Sequence, residues 1–513
     1  MDNVYDKMIL MQKYKLDTQQ TILENNIKID ENLEISKVLA VSCEIDIDRP
    51  TEALSGECIV SGKLISNMVY LCSTGEINNQ TAITPFTYKV INKNISNDAK
   101  INIFARVINA EVNKLSNNQI KLLTTINYDG VVIKNNEVDY LKAGGDSTYI
   151  KQNECEVVSF VDSACDKFEE KLEATVKSGV KKILMTNVEC MIKDYVTGMN
   201  FVSVEMELCA KLLYADKQEP SELQTITISK NIKQEVELSG LTKEMNIDIF
   251  ALVINENILV DLIETDSGTN INVNVPIMVC VDGFECKKTL SVVDAYSSRA
   301  VLNIQNDEYE NSVICNSEYL EAKVEGSVIL TEQEPRIDKY LATTNVCANI
   351  SNSYIKDGNI FVEGIISANI IYLNDEIGSI QSVQIEVPFV LERKTNIKEG
   401  TLLEPVVGVF DVDTMVKRGR EIYFDAKVKA FVNVTCQNNL EVVSKLETLG
   451  DYPERSDAIE IYFGKAGESF WDIAKSLKIS SEIIRNQNPE LTDPLDKDQN
   501  IALYFQKERK FKK

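Results

Sequence analysis

Histidine is absent from all 513 residues. Its absence removes the commonest general base, the Ser-His and Cys-His nucleophile pairs, and every zinc set that uses an imidazole. Basic side chains are in deficit: 54 Lys and Arg stand against 79 Asp and Glu, a formal charge of −25. Such a surface repels phosphate backbones and anionic membranes, so nucleic acid is not an expected partner. Long apolar runs are missing as well. Asn, Lys, Asp or Glu interrupts every stretch short of the ~20 residues of a membrane helix, and no direct membrane insertion is expected. Residues 1–17 offer only the apolar cluster at 8–11, between Lys7 and Lys13, against the ~7–15 apolar residues of an export signal. The expectation is a cytoplasmic chain.

Phosphate loops are also missing, since Gly144-Gly145-Asp146 lacks the Lys-Ser/Thr and the helix that would follow. Twelve cysteines are present, but none forms a Cys-x-x-Cys, and the closest pair is Cys280 and Cys286. Cys58, Cys209, Cys280, Cys347 and Cys436 sit inside alternating apolar segments, where a thiol packs as a small hydrophobe. Free thiols, no disulfide, no metal and no cofactor are expected. Paired carboxylates such as Asp46/Asp48 and Glu169/Glu170 are what 79 acidic residues produce by chance. No catalytic residue stands out, and an enzyme is not expected.

What is present is a repeat. With 44% apolar and 26% charged residues the chain folds, and its length calls for several domains. Lys37-Val38-Leu39-Ala40-Val41-Ser42 recurs as Lys182-Ile183-Leu184-Met185-Thr186-Asn187 and as Lys339-Tyr340-Leu341-Ala342-Thr343-Thr344. A second anchor keeps the register: Tyr70, Tyr214 and Tyr372 follow strand-like segments at matching offsets. Ile101 to Ala105 also matches Ile247 to Ala251, with a looser third copy at Glu404 to Phe410. Each copy holds runs of period two, such as Ile120 to Ile126, Ile271 to Val275 and Ala426 to Val434, separated by Gly, Asn and Asp turns. These patterns predict a mainly β chain of three tandem antiparallel β-sandwich-like modules. The expected units are an N-terminal segment at 1–35, modules with extensions at 36–180 and 181–337, and a third module at 338–449. Within the first extension, Phe168, Leu172 and Val176 at four-residue spacing predict a short amphipathic helix over Ser163 to Lys177.

Past a polar stretch at 450–458 the period turns helical. Ile459 to Phe463 reads as a strand; Ser469, with Asp472 three residues on, caps a helix carrying Ile473, Ala474 and Leu477. Ser480 or Ser481 caps a second helix that stops at Asn488-Pro489, and Asn500 to Phe505 supplies a closing strand. This predicts a small βααβ domain at 459–505 and a basic tail at 506–513. Residues 459–513 carry 10 basic and 9 acidic side chains, so the acidity lies in the rest of the chain.

Gly467-Glu468-Ser469-Phe470-Trp471-Asp472-Ile473-Ala474 at the first turn, with Asn486-Gln487-Asn488-Pro489 after the second helix, resembles the LysM family. The usual proline after its second strand is replaced here by Leu503-Tyr504-Phe505. The upstream copies, with their Val-x-Gly strand, the following Tyr, and Pro85-Phe86 or Pro388-Phe389, are similar to the SPOCS type of spore-coat module. The resemblance implies a non-enzymatic scaffold of spore-coat assembly, working in the mother-cell cytoplasm at the forespore surface. It would dock through its LysM domain to the coat's basement-layer ATPase. The LysM likeness alone implies instead an N-acetylglucosamine groove and a peptidoglycan- or cortex-associated protein. On either reading the contact residues carried over are Gly467, Glu468, Ser469, Trp471, Ile473, Asn486, Asn488, Pro489 and Phe505. Trp471, the only tryptophan, either meets the ligand or seals the domain's core.

Overall fold

The computed structural model describes residues 3–29, 33–49, 51–218, 222–315, 317–374, 378–453 and 458–505; the basic tail at 506–513 lies outside them. The chain is mainly β, in antiparallel sheets, with two α-helices among the described residues. A first stretch holds β1 (Val4–Lys15), β2 (Gln19–Lys28), β3 (Ile35–Ile47), β4 (Glu52–Leu54), β5 (Glu57–Cys72), β6 (Ile77–Ile91), β7 (Lys100–Ser116) and β8 (Gln119–Ala143). A second holds β9 (Thr148–Val176), β10 (Val180–Thr197), β11 (Phe201–Asp216), β12 (Leu223–Glu237), β13 (Asn246–Val253), β14 (Leu259–Thr265) and β15 (Gly268–Ser297). A third holds β16 (Ala300–Ile314), β17 (Glu318–Ile329), β18 (Ile337–Lys356), β19 (Asn359–Asn374), β20 (Ile380–Lys394), β21 (Leu402–Lys417) and β22 (Glu421–Asp451). The chain ends in β23 (Ile459–Gly464), α1 (Phe470–Leu477), α2 (Ser481–Gln487) and β24 (Gln499–Tyr504).

One pairing scheme recurs three times. A small sheet forms from β3-β5-β6, from β10-β11-β12 and from β18-β19-β20. A second sheet is organised by the long last strand: β8 pairs β1, β2 and β7; β15 pairs β9, β13 and β14; β22 pairs β16, β17 and β21. Strand pairing therefore groups the chain into blocks at 4–143, 148–297 and 300–451. The strands at 4–28, read from the sequence as a separate segment, are partners of β8; β9, expected as the end of the first module, pairs β15 of the second block, and β16 and β17, expected as the end of the second module, pair β22 of the third. Period two marks a strand; it carries no information about which strand pairs with it.

The helix expected over 163–177 is instead part of β9, with Phe168 opposite Ile277 and Leu172 opposite Val273. A four-residue spacing is a multiple of two, so Phe168, Leu172 and Val176 line one strand face as readily as one helix face. Two further residues of the same strand pair correct the expectation about cysteine. Cys165 and Cys280 stand directly opposite one another, 4.1 Å apart at Cα, and are joined by a disulfide. Adjacent strands bring them together across 115 residues of chain, which spacing could not reveal. The other ten described cysteines are free.

The two sheets of each block share an apolar core. In the second block, Val204, Met206 and Leu208 of β11 meet Ile271, Val273 and Ile277 of β15; the third block repeats this with Val362, Ile366, Val428 and Ala430. The blocks also share a centre. Leu39, Leu184 and Leu341, the first anchor of the repeat, are buried together with Val69, Leu213 and Ile371 in a cluster drawn from all three blocks. Each of these leucines is the extra residue of a β-bulge, skipped between Val38 and Ala40, Ile183 and Met185, and Tyr340 and Ala342. A bulge re-aims a side chain out of the regular pleat, here toward the neighbouring blocks.

At the other end, three two-stranded ribbons, β1/β8, β9/β15 and β16/β22, run on past the small sheets and pack into a stem. Leu10, Val138, Val157, Leu440 and Val442 form one buried layer, and Leu141, Val292, Ala295, Val443 and Leu446 another. Where stem meets blocks the first strand of each copy is interrupted: at 16–18 between β1 and β2, by a bulge at Val161 in β9, and at Cys315 and Ser317 between β16 and β17.

Candidate functional site

The residues singled out from the sequence lie in the C-terminal βααβ unit. Its core is Phe470, Ile473, Ala474, Leu477, Ile484, Leu495, Ile501 and Leu503. Ser469 starts α1 with a full capping box: its hydroxyl accepts from the Asp472 backbone N–H, and its own N–H donates to the Asp472 carboxylate at 3.2 Å. The Ser469 hydroxyl also holds the Asp472 carboxyl below the usual range. Ser480 caps α2 more simply, its hydroxyl accepting from the Glu482 N–H.

The other site residues serve the fold of the unit in different ways. Gly467 and Glu468 shape the loop before α1. Gly467 takes φ of +85°, a left-handed conformation that glycine adopts without strain, and donates to the Leu495 carbonyl. The Glu468 carboxylate accepts from Tyr462 Oη at 2.6 Å and from the Lys465 N–H, closing the loop on itself. Asn488 is buried, its side-chain amide donating to the carbonyls of Ile484 and Ala502, so it ties the end of α2 to β24. Asn486 and Pro489 beside it are exposed. Ile473 is wholly buried and serves the core. Phe505 is half-buried and packs on the same cluster.

Trp471 does something the sequence did not disclose. Its ring meets Tyr296 edge-on at 4.9 Å between centroids, and its Nε1–H donates to Asp294 Oδ2 at 2.9 Å. One helical turn on, Lys475 Nζ donates to both oxygens of the same carboxylate at 2.6 and 2.7 Å. Tyr296 completes the seat: its hydroxyl donates to the Ile479 carbonyl at 2.7 Å, while its ring stacks on Tyr149. Lys478 extends over Tyr452. Trp471, Lys475 and Lys478 thus form one face of the first helix and its cap; the tip of the β9/β15 ribbon engages Trp471 and Lys475, and Tyr452, just past β22, meets Lys478. Asp294, Tyr149 and Tyr296 are contact positions that sequence reading missed, because nothing in a strand's own pattern shows what docks on its end. The opposite side of the unit is open: Ile459, Ile461 and Phe463 of β23 and Tyr504 of β24 are each 59–69% exposed on one face of the two-stranded sheet.

A second concave region lies at the centre of the repeat. A cavity of about 590 Å³ is lined by β3, β7, β10 and the third block, and Glu44, Glu189 and Cys347 face it from equivalent places in the three copies. Burial pushes both carboxyls up to about 7, Glu44 being raised further by Glu189, and burial with the two carboxylates pushes the Cys347 thiol up to about 12. Asn187 bridges two blocks, donating to Ser42 Oγ at 2.8 Å and to the Glu44 carboxylate at 3.2 Å. Asp46, one of the paired carboxylates, accepts from the backbone N–H groups of Asn255 and Glu256 and so caps a single 3-10 turn. Among the described residues, no three Cys, Asp or Glu form a group able to hold a metal ion.

No protein-family model, curated protein or solved structure matches this chain.

Proposed function

We propose that the protein is a non-enzymatic scaffold of spore-coat assembly, of the type that combines three SPOCS modules with a LysM domain, and that it docks through residues 459–505 to the coat's basement-layer ATPase at the forespore surface in the mother-cell cytoplasm. The observation that carries this reading is the seat of the C-terminal unit. A three-block trunk with a shared centre ends in a stem, and the βααβ unit is fastened to the stem tip by Trp471 and Lys475. Its remaining loops and an apolar sheet face are left turned outward. Such a body holds a docking surface in a set orientation and uses its own polar residues for packing and capping.

The rival reading, a peptidoglycan- or N-acetylglucosamine-binding protein, draws on the exposure of Gly467, Asn486 and Pro489. A pull-down from sporulating cells with the full chain and with a chain ending at residue 453 separates the two. Recovery of the ATPase by the full chain alone supports docking. Equal recovery by both, or retention on cortex peptidoglycan that depends on 459–505 without ATPase recovery, would replace the adaptor reading.

A further inference from the structure

The joint between stem and blocks brings two free cysteines together, one of them, Cys315, at the edge of the third block's core. Cys315 lies in the break between β16 and β17, and its backbone N–H donates to the Val434 carbonyl. Cys436 lies two residues beyond Val434 on β22, opposite Val313. In an antiparallel pair, residues two apart on one strand share a face with their opposite numbers, so the two thiols are diagonal neighbours on the same face. Both thiols are free and partly exposed, and the Cys315 sulfur donates to the carbonyl of Val313, the residue opposite Cys436, at 3.8 Å. The start of β21, where Leu402 pairs Thr435, places Thr401 beside Cys436, the Thr401 hydroxyl donating to the Lys398 carbonyl at 2.7 Å. The second block supplies the comparison. There the same strand pair of the repeat, β9 with β15, is already closed by Cys165–Cys280 just past its own joint at Val161.

We propose that Cys436 and Cys315 form a peroxide-responsive thiol pair, with Cys436 as the attacking sulfur and Cys315 as the resolving one, whose oxidation closes a second cross-strand bridge at the stem–block joint. The Cys436 thiolate attacks one oxygen of hydrogen peroxide and keeps it as a sulfenic acid; the other oxygen leaves as hydroxide and is protonated to water. Cys315 sulfur then attacks the sulfenic sulfur and expels hydroxide, which takes the Cys315 proton to give a second water. Two thiols have lost two electrons and two protons, and peroxide has been reduced to water. The surroundings favour these roles: the Cys315 thiol and the Lys398 charge hold Cys436 below the ordinary thiol range, while the neighbouring Cys436 and burial push Cys315 up.

The full chain is purified without reductant, exposed to stoichiometric hydrogen peroxide and alkylated, and its peptides are analysed unreduced. The expected result is a Cys315–Cys436 linked peptide and the loss of two free thiols per chain. Before oxidation, brief alkylation at pH 7 should label Cys436 about tenfold faster than the other free thiols. In Cys315→Ser, dimedone should trap a sulfenic acid on Cys436 that the parent chain does not accumulate. If both thiols stay alkylatable while others oxidise, or if Cys436 pairs with a different cysteine, the proposal fails. Ordinary labelling of Cys436, or no dimedone adduct in the variant, removes its role as the attacking sulfur.

Discussion

Lys13 is a cation with a side chain only 1% exposed, and it is shared by all three blocks: from β1 it pairs with Asp248 of β13 at 2.5 Å and with Glu404 of β21, and it donates to Thr435 Oγ1 of β22 at 3.3 Å. Burial works against its charge, but the two carboxylates more than offset that and hold the ammonium above its ordinary value. Asp282 next to it accepts from Asn102 at 2.6 Å and is pushed up by burial. Breaking such a buried pair leaves a charge without a partner, so Lys13→Met should cost about 3–5 kcal/mol in chemical denaturation. Adding Asp248→Asn and Glu404→Gln should recover most of that loss; no recovery would mean the methionine fails for packing reasons. The buried carboxyls also set a pH dependence. Burial raises Glu44 and Glu189 from 4.5 to about 7. Over that window the folded chain holds more protons than the unfolded one, so the contribution of these groups is full below pH ~4.5 and is lost as pH rises through about 7. Thermal unfolding should give a higher midpoint at pH 5.5 than at pH 7.5, and the reverse order would contradict the burial of these groups.

Among elements, those whose signals are local were legible and those defined by distant partners were not. The capping serines 469 and 480, the stop at Asn488-Pro489 and the period change after residue 458 are properties of a few consecutive residues, and the βααβ order follows from them. The strand β9 was misread because its apolar spacing of four satisfies two periods, and its true nature depends on β15, more than a hundred residues away. The same limit hid the role of Trp471: its environment is Asp294 and Tyr296, at the end of a ribbon that no local pattern associates with a helix. Two substitutions separate capping from seating. Ser469→Ala should lower the stability of the unit by about 1 kcal/mol without moving it. Asp294→Ala removes the acceptor of both Trp471 and Lys475, leaves the core of the unit intact, and should free it from the stem. Faster limited proteolysis at 452–458 and a red-shifted Trp471 emission are expected for Asp294→Ala, while unchanged cleavage and emission would show that the seat does not hold the unit.

For the whole molecule, repetition was legible through Leu39, Leu184 and Leu341, but not the reason those residues repeat. They are the bulge residues through which three blocks share one core, a demand on packing between copies that appears in sequence only as similarity. Blocks built this way are not independent beads. Leu184→Ala should cost about 2–5 kcal/mol and lower the unfolding midpoint of the whole trunk in a single transition, whereas separate transitions for the three blocks would refute the shared centre.

The trunk matters to the proposed function because it fixes where the C-terminal unit stands, and the claim tested most directly is that this unit binds a protein and not a glycan. The measurement is a calorimetric titration of the purified basement-layer ATPase, and in parallel of chitin oligomers, into the full chain and into the chain ending at residue 453. The account predicts that the ATPase binds the full chain, that binding is lost when the chain ends at 453, and that chitin oligomers neither bind nor compete. Equal ATPase binding by both chains, or chitin binding that requires residues 459–505 with no ATPase binding, would contradict it.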